Sequence, residues 1–194
     1  MAIQTEVLFI TDEYIKKFTN VNGAVDSNII RPAIYLAQDK YITNWLGTEL
    51  INKLKTDITT NNLTGDYEVL LDQYVRKSTL WWTMVELYPH LLWKHDNGNL
   101  VSRQTPDTTA VTQNEMESLR DAARANAVWY TQRMVDYLCQ YSSLFPEFNN
   151  SQFPNISPAY SVDSNTHVIF SSGYKQRELP WAVRKLMDNP NALM

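Results

Sequence analysis

The sequence predicts a mainly α protein: a small helical bundle built on two long antiparallel helices, with a short β-hairpin excursion and an extended C-terminal arm. Three observations carry that expectation. Residues 112–141 place Met116, Leu119, Ala123, Ala127, Tyr130, Met134, Tyr137 and Tyr141 at steps of three and four with no Gly or Pro between them, which is the period of one helical stripe. Residues 66–94 make a second run of similar length, joined to the first through Asn97-Gly98, a tight-turn signal. After Phe145 the helical period stops, and five of the eight prolines fall in the last 49 residues.

In chain order, Thr11 is the expected cap of a short helix DEYIKKF, with Asp12 and Glu13 in the first turn where the helix dipole favours negative charge. Asp26 or Ser27 then caps SNIIRPAIYLAQDKYITNWL, which turns Ile30, Ala33, Ile34, Ala37, Tyr41 and Trp45 to one face. Pro32 falls near the first turn, where a missing N–H costs little. Gly47 is the expected left-handed end of that helix, and TELINKLKTDI restarts it with Leu50, Ile51, Leu54 and Ile58 inward. A polar linker, TTNNLTG, leads into the long arm at 66–94.

In that arm Tyr67, Leu70, Leu71, Tyr74 and Val75 form a stripe, but from Leu80 to Trp93 the sequence is apolar nearly all round. Such a segment needs cover on several sides, which a neighbouring subunit is expected to share. Pro89 is expected to kink it. After the turn, NLVSR reads as a strand, and Thr112 with Glu115 makes a capping-box start for the second long helix. Residues 1–150 are thus read as the bundle and 151–194 as the arm. Within the arm THVIFSSG reads as one strand and PWAVRKLM as a terminal helix, with Phe153, Tyr160, Phe170 and Trp181 as apolar anchors. Arg184 and Lys185, with Lys175 and Arg177, surround Trp181 and suit contact with an acidic partner surface or DNA as well as they suit a solvated helix.

Composition narrows the function. A hydrophobic fraction of 44% suffices for a core, and six Trp with 11 Tyr are numerous for 194 residues. The net charge of −4 opposes tight binding to a nucleic-acid backbone. The single cysteine, Cys139, excludes an internal disulfide and is expected to be a buried, inert thiol. No signal-peptide pattern and no membrane-length apolar run occur, so a soluble protein is expected.

The chemistry-bearing residues form no catalytic set. His90, His95 and His167 lack metal-ligand spacing, and the five glycines stand singly, so no phosphate-cradling loop is expected. The carboxylates Asp66, Glu68, Asp72, Glu115, Glu117 and Asp121 lie at helix N-termini, where dipole and solvent account for them. Neither an enzyme, a cofactor nor a metal is expected.

The short ITDEYIKKF helix, YITNWLG followed by TELINKL, two long helices separated by NGNL, and the closing YLCQYSSLFPEFN occur in that order. Together they resemble the head-to-tail connector (adaptor, or head-completion) proteins of tailed bacteriophages, most closely the crAss-like phage version. The resemblance spans about residues 8–150, and the Pro-rich extension from 151 departs from the minimal connector. It implies a virion protein of the neck: a homo-oligomeric ring, usually of twelve copies, beneath the portal protein, extending the channel for double-stranded DNA and seating later neck and tail proteins. The acidic balance suits a channel that lets DNA slide without specific binding. Trp81, Trp82 and Trp93 are the candidate contacts between subunits. Phe153, Tyr160, Phe170, Trp181, Arg184 and Lys185 are the candidate arm contacts to the portal or a neighbour. The rival reading is a cytosolic helical adaptor or regulator that binds one protein partner as a monomer or dimer.

Overall fold

The computed structural model describes residues 6–21, 23, 25–96, 99–102, 112–149 and 155–159. They are predominantly helical. Helix α1 (Asp12–Phe18) is capped by the Thr11 hydroxyl, which accepts from Tyr14 N–H. Helix α2 (Ser27–Ala37) is capped by Asp26, whose carboxylate accepts from Asn28 N–H. Pro32 sits inside α2, a turn deeper than expected. The helix continues through a π-helical turn, Gln38–Ile42, into α3 (Thr43–Thr59).

The first long arm is not a single α-helix. Helix α4 (Asp66–Leu70) passes through a second π-helical turn, Leu71–Val75, into α5 (Arg76–Leu92), which runs on past Pro89. The helix stops at Leu92, because Trp93–Asp96 is strand β1, paired antiparallel with β2 (Asn99–Ser102) so that Trp93 lies opposite Ser102. Helix α6 (Gln113–Gln140) starts with the complete Thr112–Glu115 capping box. A short 3-10 turn, Ser142–Leu144, then leads to α7 (Pro146–Asn149).

Helices α5 and α6 are antiparallel: Ser78 and Thr131 share a 2.7 Å hydroxyl contact, while Arg120 reaches Val85 C=O at 3.2 Å near the other end. Helix α2 packs on another side of α5. The core contains the predicted α2–α3 face almost intact, with Ile30, Ala33, Ile34, Ala37, Tyr41, Trp45, Leu50, Ile51 and Leu54 all buried. Burial of this apolar surface is the main stabilising term.

Three expectations are corrected here. The run from Leu80 is covered by its own chain: Leu80, Trp82, Thr83, Met84, Val85, Glu86 and Leu87 are all buried between α2, the first π-helical turn and α6. Among the described residues, Leu80–Leu87 is thus largely covered without a neighbour. On α6 the inward stripe is Met116, Ala123, Ala127, Thr131, Met134, Val135 and Leu138, and it leaves Leu119 (49% exposed) and Tyr141 (42%) outside. A polar Thr131 takes the inward place because it is hydrogen-bonded there, which periodicity of apolar residues does not register. Cys139 is exposed, one residue beyond that stripe, with its pKa raised by partial desolvation and the nearby Asp136 carboxylate.

The N-terminal segment joins the core unforeseen. Phe9 and Ile10 are buried, and polar side chains hold the backbone around them. Phe9 N–H donates to Gln38 Oε1 (2.9 Å), Gln38 Nε2 donates to Val7 C=O (2.8 Å), and Arg76 Nε donates to Phe9 C=O (3.0 Å). Both backbone groups of the buried Phe9 thus have a partner, as burial requires.

Candidate interaction faces

Among the described residues no group of His, Cys, Asp and Glu is arranged to hold a metal ion. The carboxylates weighed from the sequence serve helix starts or surface pairs: Glu115 closes the capping box, Asp72 pairs with Arg76, and Asp121 pairs with Arg124 at 2.8 Å.

One ionisable cluster, absent from the sequence expectations, joins buried Glu86 and Tyr41 to the exposed Lys40. Glu86 Oε1 accepts from Tyr41 Oη at 2.5 Å and from Lys40 Nζ at 3.0 Å. Burial pushes the Glu86 carboxyl up, but the hydrogen bonds from Tyr41 and Lys40, with the charges of Lys40 and Arg120, hold it below its usual range. Burial and the Glu86 carboxylate together raise the Tyr41 phenol. The cluster ties the first π-helical turn to α5 and holds a charge on the buried face of α5. Its sequence signal was Glu86 itself, the lone carboxylate in LWWTMVELYPHLLW. Its partners lie 45 and 46 residues away.

The tryptophans named as subunit contacts separate. Trp82 is a core residue, which corrects its assignment to an interface: it is 3% exposed, its ring stacks on Tyr41 at 3.9 Å, and its N–H donates to Thr131 Oγ1 at 2.9 Å. Trp81 is half-buried and packs against the same core. Trp93 opens β1. Phe153, Tyr160, Phe170, Trp181, Arg184 and Lys185 lie outside the described residues.

Among the described residues, exposed large apolar side chains lie elsewhere: Phe18 on α1, Val69 on α4 and Leu144 stand singly, and two helix faces carry others. On the outer side of α2, Tyr35 and Leu36 are 48% and 40% exposed. On the outer side of α6, Leu119 is joined by Trp129, the most exposed large apolar residue described, at 55%. The Arg133 guanidinium lies 5.0 Å from the Trp129 ring centroid and 5.9 Å from that of Tyr74, a cation–π arrangement that holds the indole against the helix. Because α5 lies between α2 and α6, these are two different faces on two different flanks. Trp129 was legible in the sequence only as a residue off the core stripe.

A third feature joins residues 156–159 to the bundle. At Gly47 (φ 77°, ψ 162°) α3 kinks, in a conformation that essentially only glycine adopts. The positive φ was expected, but the extended ψ differs from a left-handed helical cap and redirects the chain. The kink is filled by residues 156–159. Thr48 N–H donates to Ile156 C=O (3.0 Å), Ile156 N–H donates to Thr48 Oγ1 (2.8 Å), and Ala159 N–H donates to Asn44 C=O (3.1 Å). Pro158 packs so closely that a Cβ on residue 47 would stand 2.7 Å from its Cγ.

A model described as a family of unknown function, DUF6712, matches residues 42–157, from the end of the first π-helical turn to the strap at the α3 kink. No curated protein and no solved structure matches the chain. Among the described residues no helix is long and apolar enough to cross a membrane.

Proposed function

The chain belongs to the DUF6712 family of unknown function, and from that premise we propose that it is a structural virion protein, a head-to-tail connector subunit of a tailed bacteriophage. In this reading copies form a ring, of about twelve as in the proteins it resembles, beneath the portal, and the ring extends the DNA channel and seats later neck and tail proteins. The order of the helices and the quoted signatures support the identity.

The observation that carries the assembly role is the pair of unlike apolar faces. One subunit presents Tyr35 and Leu36 on α2, and Leu119 and Trp129 on α6, on separate flanks of a well-covered α5. A ring closes through head-to-tail contacts between two different patches of the same chain, so each subunit needs two such faces. Large aromatic and aliphatic residues of this kind are the ones that anchor protein interfaces. The β1–β2 pair then serves as the hairpin excursion from the bundle. The C-terminal arm reaches the portal or a neighbour, with Phe153, Tyr160, Phe170, Trp181, Arg184 and Lys185 as its contacts.

Incubating the full chain with the portal and weighing the products by native mass spectrometry tests the proposal. A ring of subunits on the portal is expected. The chain truncated after Ala159 keeps the strap, so it is expected to fold and yet fail to join the neck. A full-length chain that ignores the portal and is absent from purified particles would overturn the assignment.

A further inference from the structure

We infer that, before assembly, the free protein forms a two-fold dimer through an antiparallel α6–α6 contact. Six residues on one side of α6, Glu115, Leu119, Ala122, Asn126, Trp129 and Arg133, follow one another at steps of 4, 3, 4, 3 and 4, and all six are exposed. Alternating steps of three and four give the 3.5-residue seam of a coiled coil. This seam is distinct from the inward stripe of Met116, Ala123, Ala127, Thr131 and Met134 that holds α6 to α5.

The seam is also complementary to its own reverse. Laid antiparallel on a second copy about position 124, Glu115 faces Arg133, Leu119 faces Trp129, and Ala122 faces Asn126. Opposite charges thus meet at both ends, the two large exposed apolar residues pack on each other twice, and small residues occupy the middle where the helices must approach closely. The same residues in parallel register would bring Glu115 against Glu115 and Arg133 against Arg133, so charge selects the antiparallel pairing.

The groups at both ends have capacity for this contact. Both hydrogen bonds that Glu115 accepts from Thr112 fall on Oε2, which leaves Oε1 free of that cap. Arg133 lies over Trp129 at the edge of the seam, so its charge and the apolar anchor enter the contact together. Asn126 places one amide group beside an otherwise apolar centre, the kind of residue that fixes register in such pairs. A contact with two-fold symmetry closes on itself, so a paired subunit has its α6 flank capped and cannot extend a ring through it.

Cross-linking in the full chain without portal tests the inference. Cys139 is first changed to Ser, since its exposed thiol would compete. Chains carrying A122C are mixed with chains carrying N126C and oxidised mildly. The expected product is a disulfide-linked heterodimer, and a Q132C chain, whose residue 132 lies off the seam, gives none. Sedimentation equilibrium is expected to show a dimer that R133E weakens about tenfold and that E115R/R133E restores. Within one α6 residues 115 and 133 are about 27 Å apart, so such rescue passes between chains. A monomer at high concentration, or cross-linking at 132 as strong as at 122–126, would overturn the dimer, as would a failed rescue in a double exchange whose circular dichroism shows α6 intact without the Glu115 cap. None of these outcomes involves the portal, so the dimer and the connector assignment stand or fall separately.

Discussion

Replacing Gly47 by alanine should destabilise the protein by about 1–5 kcal/mol, for two separable reasons. The backbone at this position (φ 77°, ψ 162°) lies in a region where a side chain costs about 1–3 kcal/mol. The added Cβ would also stand 2.7 and 2.8 Å from Pro158 Cγ and Cδ, so either the ring or the helix must shift, at an overpacking cost of about 1–3 kcal/mol. Alanine restricts the unfolded chain and recovers about 0.5–1 kcal/mol of this. A chain of this size loses about 2–4 °C of melting temperature per kcal/mol, so a mid-range loss of about 3 kcal/mol lowers the midpoint by about 6–12 °C. Thermal and urea unfolding followed by circular dichroism measure the loss, and amide exchange at Thr48, whose N–H is held by Ile156 C=O, reports whether the strap is the part displaced. Pro158→Ala separates the two causes. With the ring removed the clashes with Cγ and Cδ go, leaving the backbone penalty and the 3.1 Å approach to the nitrogen of residue 158, so G47A/P158A should be less destabilised than the sum of the single changes by about 1–3 kcal/mol. If G47A unfolds within about 0.5 kcal/mol of the parent, or the two changes add, the account of the kink is wrong.

Two further predictions concern the buried polar groups. Thr131→Val keeps the volume but leaves the Trp82 N–H and the Ser78 hydroxyl without their partner, so a loss of about 2–4 kcal/mol is expected, with Thr131→Ser nearly neutral; equal effects of Val and Ser in urea unfolding would contradict this. The Glu86 carboxyl is depressed in the folded state, so its contribution is present above its unfolded value and drains away as pH falls through the lower folded one, whereas Lys40 and Tyr41 are raised and their share is lost as pH rises through their folded values. Glu86→Gln should therefore flatten both the acid and the alkaline limbs of the stability–pH curve, and unchanged limbs in pH-dependent unfolding would remove the cluster from the account.

What the sequence determined by itself is what depends on neighbours within about one helical turn. The caps at Thr11, Asp26 and Thr112, the apolar face from Ile30 to Trp45, and the positive φ at Gly47 all follow from hydrogen bonds and sterics among residues at most four apart. Composition also established that the segment after Leu80 must be covered, but it carried no information on the source of the cover. Tertiary structure decided that, by setting α2 and α6 on either side of α5, and so moved Trp82 from a proposed contact into the core and left Trp129 outside.

The same holds for the polar network. Thr131 turns inward because Ser78 and Trp82 meet it from 53 and 49 residues away, Glu86 tolerates burial because Lys40 and Tyr41 reach it, and the strap closes over Gly47 across 108 residues. Periodicity records only which side of a helix a residue occupies. Which side becomes core depends on the partner brought there by the rest of the chain, because burying a polar group costs free energy unless that partner is in place.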